Sequence, residues 1–66
     1  MIDGNKLLFI RGNLGLSVRD LAKKSNVSPS TICRIETGKS NGSILVASKL
    51  ARALQSDVTT IYKKEG

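Results

Sequence analysis

Hydrophobic residues near the start of the chain recur three and four positions apart, which is the spacing of one face of an α-helix. The segment from about Asp3 to Leu14 has Leu7, Ile10 and Leu14 at this spacing, so these three side chains are predicted to face the core. Gly15 follows directly and can adopt the left-handed conformation that commonly ends a helix. The pattern therefore predicts a first helix of about three turns.

Two further short helices, joined by a tight turn, are predicted in the middle of the chain. The first runs from Val18 to about Ser25; Ser17 precedes it, and Asp20 completes the spacing of a capping box. Ser28 caps the second helix, and Pro29 takes its first position, where a missing N–H has no cost. Local hydrogen bonding therefore predicts where both helices begin.

The turn between these two helices is predicted to depend on Asn26. A turn this short needs one residue at positive φ, and after Gly, Asn tolerates that conformation best. Ala22 is predicted to lie where the helices cross, because a larger side chain would push them apart. Ile32 is predicted to fill the seam between them.

The last third of the chain predicts two more helices after a loop that contains Asn41-Gly42, a strong turn signal. The fourth helix runs from Ile44 to about Leu54 and is capped by Ser43. The fifth runs from Val58 to Tyr62. The inward positions of the fourth helix are Ile44, Ala47, Leu50, Ala51 and Leu54.

The fifth helix is predicted to be capped by Asp57 and to turn Ile61 toward the core, and residues 62–66 are expected to fray. The alternation that is typical of strands is absent from the sequence. The whole pattern predicts an all-α fold, a compact bundle of five short helices that forms one domain over residues 1–66.

Composition favours a polyanionic partner. The 66 residues include 11 Lys and Arg but only five Asp and Glu, which gives a formal net charge of +6. Strong positive charge on a small chain favours binding to nucleic acid, although it also serves solubility. Charge alone therefore leaves both interpretations open.

Chemistry other than binding finds little support in the sequence. The chain has one Cys and no His, its acidic residues are scattered, and it lacks a glycine-rich phosphate loop. We therefore expect no enzyme activity, no cofactor and no bound metal. A single Cys, the lack of a secretory signal and the lack of an apolar run of about 20 residues favour a cytoplasmic protein without membrane contact.

The two central helices also carry a family resemblance. Its residues are Ala22, Asn26, Val27, Ser28, Ile32 and Ile35, followed by Glu36 to Lys39, ETGK. With these the chain resembles the Cro/repressor-type helix-turn-helix proteins, also called the Xre family, over about residues 7–62. The resemblance implies a fold of the lambda-repressor-like DNA-binding type, in which the helix after Ser28 enters the major groove.

The chain departs from the family's usual pattern at three positions. Asn26 stands where Gly is usual in the turn. Val18 stands where the leading helix often has a phosphate-binding Gln. Pro29 stands where the recognition helix often begins with a polar residue that contacts bases. The expected fold is unchanged, whereas the residues that contact bases must be sought elsewhere on the helix.

The resemblance and the helix spacing together imply three groups of DNA-contacting residues. Arg34 can bond guanine O6 and N7 from the recognition helix, with a phosphate contact as the alternative. The loop after that helix and the start of the leading helix are expected to contact phosphates, with Lys39 as a clamp. The predicted DNA-binding residues are Ser17, Val18, Arg19, Ser28, Pro29, Ser30, Thr31, Cys33, Arg34, Lys39, Ser40 and Asn41.

Three residues near this surface keep two interpretations each. Cys33 is interpreted as a small side chain that fits against DNA, with a redox switch as the alternative. Lys23 and Lys24 are as compatible with a solvated helix surface as with DNA contact.

These observations predict a sequence-specific transcriptional regulator, a repressor that binds double-stranded DNA as a homodimer on a two-fold operator. Val58, Ile61 and Tyr62 are predicted to form the dimer contact, because they are apolar and lie beyond the helix-turn-helix. A toxin or an antirepressor is a possible protein partner. Three alternatives stay open: a DNA-binding antitoxin, the controller protein of a restriction–modification system, and an interaction adaptor that uses the fourth or fifth helix without DNA.

Overall fold

The computed structural model describes residues 1–63, which contain five α-helices. In chain order they are α1 (Gly4–Asn13), α2 (Val18–Ser25), α3 (Pro29–Glu36), α4 (Ile44–Ala53) and α5 (Val58–Ile61). The all-α bundle of five short helices is confirmed. Every helix limit that the sequence predicted lies within one residue of the observed limit.

The helices close around one core. α1 packs against α3 and α5, α2 packs against α3 and α4, and α4 packs against α5. Because α2 and α3 each also contact another helix, the rest of the bundle holds the helix-turn-helix in place. The buried hydrophobic residues are Ile2, Leu7, Leu21, Val27, Ile32, Ile35, Ala47, Leu50, Ala51, Leu54 and Ile61.

Most helix starts are capped as the sequence predicted. The Ser17 hydroxyl accepts from the Asp20 N–H at 3.0 Å, and an Asp20 oxygen accepts from the Ser17 N–H at 3.0 Å. Ser43 accepts from Val46 at 3.2 Å. The prediction that Asp57 caps α5 through its side chain is wrong, since only its carbonyl accepts, from the Thr60 N–H at 2.9 Å. That bond spans three residues, as in a tighter 3₁₀ turn.

Asn26 adopts the left-handed conformation that the turn requires, with φ 60° and ψ 31°. Its N–H donates to the Ala22 carbonyl and so closes α2. A β-branched residue at this φ carries strain that Gly avoids. The prediction of a positive-φ Asn at the corner is confirmed.

We expect Asn26→Val to lower the free energy of unfolding by about 1–3 kcal/mol, because Val must adopt this strained backbone conformation. Asn26→Gly should be neutral or stabilising, since Gly adopts the same φ without a Cβ clash. Urea melts of both variants measure the difference. A tolerated Val together with a harmful Gly would contradict the assigned role of this corner.

Two predicted core positions are exposed instead. Leu14 is 52% exposed and Ile44 is 57% exposed. Leu14 is the C-cap of α1 and lies at the end of the helical face that Leu7 begins. Ile44 is the first residue of α4, whose buried residues begin one turn later at Ala47. Helical spacing places residues on a face, but it does not show how far the neighbouring helices extend along that face.

The N-terminal segment pairs with the end of α5. Ile2 and Tyr62 form an isolated antiparallel bridge, and the Lys63 N–H donates to the Met1 carbonyl at 2.7 Å. The Ile2 N–H donates to the Asn41 carbonyl at 2.9 Å, which connects the same segment to the loop after α3. Backbone pairing therefore connects Tyr62 and Lys63 to the N-terminal segment, and the expected fraying of residues 62–66 stays a prediction. Residues 64–66 lie outside the described part of the chain.

Candidate nucleic-acid interface

The outward face of α3 is short and polar. Ile32 and Ile35 are 0% and 1% exposed and fix the inner side of the helix. With 3.6 residues per turn, the opposite side then carries Ser30, Cys33 and Arg34, and all three are exposed. The structure therefore groups three of the predicted base-contacting residues on one accessible surface.

Three hydroxyl groups cluster at the start of α3. The Ser28 hydroxyl accepts from the Thr31 N–H at 3.3 Å and lies 2.8 Å from the Thr31 hydroxyl and 3.5 Å from the Ser30 hydroxyl. Ser28 therefore works mainly as the helix cap. Thr31 is half-buried and bonded to Ser28, which leaves Ser30 as the most available hydroxyl of the three. Pro29 is exposed at the helix tip and offers only van der Waals contact.

Arg34 combines a fixed backbone with an accessible side chain. Its carbonyl accepts from the N–H groups of Lys39 at 2.8 Å and Ser40 at 3.1 Å, and Gly38, at φ 80°, lets the chain fold back to make these bonds. Its guanidinium has no hydrogen bond or ion pair to any other residue among 1–63. The group is thus available to an external acceptor.

The loop after α3 offers one cation and two polar residues with different roles. Lys39 and Asn41 are exposed, whereas Ser40 is half-buried. The Ser40 hydroxyl accepts from the Gly42 N–H at 3.3 Å and the Asn41 carbonyl accepts from Ile2, so both residues stabilise the loop. Lys39 and the Asn41 side chain remain the groups best placed for a phosphate.

At the start of α2, fewer groups are available to bind a phosphate than the sequence predicted. The Ser17 N–H donates to the Asp20 carboxylate, and the Ser17 hydroxyl accepts from the Asp20 N–H. The hydrogen bond from the Ser17 backbone lowers the pKa of the Asp20 carboxyl below its ordinary value. Val18 packs its half-buried side chain against the core. The N–H groups of Val18 and Arg19, together with the exposed Arg19 side chain, are therefore what this helix start offers a phosphate.

The structure places Lys23 and Lys24 in different grooves, a distinction that the sequence did not show. Arg19 and Lys23 line one groove with Ser28 and Pro29, beside the start of α3. Lys24 instead lies in a groove between α2 and α4. Lys23 thus joins the candidate interface, and its spacing of four residues from Arg19 is the signal that could have shown this.

Comparison with known proteins agrees with this geometry. A family model described as helix-turn-helix, HTH_3, matches residues 7–61. The chain belongs to the HTH_3 helix-turn-helix family. Membership supports a role in DNA-binding regulation of transcription, and the predicted resemblance to Xre-type proteins is confirmed.

Two similar proteins show how far along the chain the similarity extends. An uncharacterized HTH-type transcriptional regulator of Methanocaldococcus jannaschii is 40% identical over 58 residues, which cover 88% of each chain. The crystal structure of an HTH_3 family transcriptional regulator from Vibrio cholerae matches with a TM-score of 0.83 and 30% identity. That match covers 86% of this chain but only 32% of the Vibrio protein, so the chain spans about a third of its length.

An ion pair that sequence reasoning missed holds the recognition helix of this HTH_3 domain. Arg11 on α1 donates from Nε to a Glu36 oxygen at 2.7 Å and from Nη2 to the other oxygen at 3.2 Å. Its Nη1 donates to the Leu16 carbonyl at 2.7 Å. The hydrogen bond to Glu36 raises the pKa of Arg11 above its ordinary value. One side chain thus connects the end of α3 to α1 and to the segment before α2.

A close backbone contact lies beside this pair. A Cβ placed on Gly4 would collide with the Ile35 carbonyl oxygen, so α1 begins directly against the end of α3. In this HTH_3 domain the exposed face of α3 is therefore supported from α1 as well as α2.

Two other kinds of feature, a metal site and a membrane-spanning helix, are absent from the described part of the HTH_3 domain. Residues 1–63 contain no group of three or more His, Cys, Asp or Glu residues that could hold a metal ion. The five helices of that part are all too short or too polar to cross a bilayer. Cys33 is exposed and free, and both interpretations of it stay open.

Proposed function

We propose that this chain is a sequence-specific DNA-binding regulator, a repressor that acts in the cytoplasm as a homodimer on a two-fold operator. The observation that carries the proposal is the Arg34 side chain, which lies exposed and unpaired within the described residues on the outward face of α3. A guanidinium in that position can bond the O6 and N7 atoms of guanine when the helix lies in the major groove.

Phosphate contacts on both sides of α3 would fix the position of this helix along the DNA groove. Arg19 and Lys23 lie beside the helix start, and Lys39 lies in the loop after its end. Cations at the two ends of a recognition helix can contact the backbones that border the groove, which positions the helix without reading sequence. Repression would follow from occupation of the operator in place of the transcription machinery.

Selection of binding sites from random double-stranded DNA tests the proposal. We expect an enriched consensus with two-fold symmetry and at least one guanine in each half-site, opposite Arg34. Enrichment of no sequence over the starting pool would contradict sequence-specific binding. Enrichment of a single asymmetric half-site would contradict the homodimer alone.

The proposed dimer contact needs one correction. Ile61 is 0% exposed and belongs to the core, so it cannot contact a second copy. Val58 and Tyr62 are half-buried and pack partly against the core, which leaves part of each side chain accessible. The proposal therefore keeps these two residues and removes the third.

We expect Tyr62→Ala to reduce cooperative binding to the full operator while leaving binding to one half-site nearly unchanged. Half-site centres should lie about 10 bp apart, so that both recognition helices face one side of the duplex. Leu8→Ala is a matched control, since Leu8 is an exposed apolar residue of α1 outside the proposed dimer contact. Equal cooperativity in wild type and Tyr62→Ala, measured by gel shift, would show that this end of the chain is not the dimer contact.

A further inference from the structure

A second basic surface lies between α2 and α4. One part of it is lined by Lys24, Leu45, Lys49, Arg52 and Ala53 among others, and the adjoining part shares Lys24 and Ala53 and reaches Leu14. We call the whole surface the α2–α4 groove. It contains no residue of α3, of the turn before α3 or of the loop after it, so it is separate from the proposed DNA interface.

The charged side chains that line the α2–α4 groove in the described chain are all positive. Lys24, Lys49 and Arg52 are exposed cations, and no acidic residue lines the groove within the described chain. Asp20 lies one turn before Lys24, but its carboxylate accepts the N–H of Ser17 and caps α2. Such a surface attracts an acidic ligand.

Apolar side chains indicate which acidic ligand fits. Leu45 is 63% exposed in one part of the groove and Leu14 is 52% exposed in the other, with Ala53 common to both parts. Leu45 and Ala53 are eight residues apart on α4, about 12 Å along its axis, which matches about two turns of a docked helix. A nucleic-acid backbone would leave these leucines unused, whereas an amphipathic helix with acidic flanks would cover them.

We propose that the α2–α4 groove binds an acidic amphipathic helix of a partner protein. Leucines or other apolar residues of that helix would cover Leu14, Leu45 and Ala53, and its carboxylates would pair with Lys24, Lys49 and Arg52. A second copy of this chain does not fit, because its own groove is equally basic. Its acids Asp3, Asp20 and Glu36 are used as caps or in an ion pair, which leaves Asp57 as the one unbonded carboxylate within residues 1–63, against three cations. The two surfaces share no lining residue.

Amide NMR titration of the ¹⁵N-labelled protein tests this proposal with a synthetic helical peptide that carries Leu on one face and Glu on the others. We expect chemical-shift changes at Leu14, Lys24, Leu45, Lys49 and Arg52, and a scrambled peptide of the same composition should bind at least about tenfold more weakly. Changes centred on α3, or equal binding of the scrambled peptide, would overturn the proposal.

Matched variants distinguish direct contact with the peptide in the groove from a general effect of the protein's positive charge on peptide binding. Leu45→Ser should weaken peptide binding about tenfold, and Leu8→Ser, an exposed leucine outside the groove, should change it less than about twofold. Lys49→Ser should weaken binding about threefold and Lys6→Ser hardly at all. Operator affinity should stay within about twofold in all four. Displacement of the peptide by a duplex without the operator would instead identify the groove as a nucleic-acid site and overturn the proposal.

Discussion

Replacing Arg11 by Met is expected to lower the free energy of unfolding by about 3–5 kcal/mol, because it leaves a largely buried Glu36 carboxylate without its partner. The side chains of Arg11 and Glu36 are only 14% and 7% exposed, so water can compensate for little of the lost pairing. The substitution also removes the donor to the Leu16 carbonyl. A domain of this size has little stability to lose, so the variant should be largely unfolded near 37 °C.

Thermal and urea melts measure this effect, and the melting temperature should fall by more than about 10 °C. Arg52→Met is the matched control, since Arg52 is exposed and has no ion pair within residues 1–63; it should melt within a few degrees of wild type. The double variant Arg11→Met/Glu36→Met should recover much of the loss, because neither charge is then buried alone. An Arg11→Met protein as stable as the control would show that the pair contributes nothing.

Arg34→Ala is expected to flatten one position of the operator consensus in each half-site, whereas Lys39→Ala should leave the consensus intact. Loss of a bidentate base contact costs about 1–3 kcal/mol, so a dimer on two half-sites would lose about 2–6 kcal/mol of binding free energy. Loss of the Lys39 contact should weaken all sequences alike and reduce the salt dependence of binding by about one unit of slope per protomer.

The measurement is binding to a panel of singly substituted operators at several salt concentrations. Both side chains are exposed and outside the core, so both variants should melt within a few degrees of wild type. If Arg34→Ala weakened every operator equally, Arg34 would be a phosphate ligand. Specificity would then have to come from Ser30, Thr31, Cys33 or DNA shape.

The local structure of the chain could be predicted because neighbours in sequence determine it. Ser17, Ser28 and Ser43 each accept an N–H from three residues further on, and the left-handed Asn26 closes α2 against Ala22. These hydrogen bonds and backbone preferences act over three or four residues, so spacing alone identifies them. The same spacing also carried the family resemblance, because the positions that define it lie within one short stretch.

The interface could be predicted only in part. Arg34 could be assigned to the outward side of α3, since helical periodicity follows once the inward isoleucines are known. The uses of Ser40 and Val18 could not, because the first stabilises a loop and the second packs on the core. The Val18 role depends on residues brought near by folding. The Ser40 hydrogen bond to Gly42 is local, but Ser40 could equally have turned its hydroxyl to a phosphate, and the residue type alone does not distinguish the two.

The sequence by itself determined five helices, the serine caps of α2, α3 and α4, the corner at Asn26 and the helix-turn-helix. The tertiary structure alone decided which apolar residues remain exposed and that Lys23 and Lys24 lie in different grooves. It alone also joined Arg11 to Glu36, 25 residues away, and Ile2 to Tyr62. Periodicity describes how residues are arranged around one helix, whereas these contacts depend on where several helices end and cross, which no short window of sequence contains.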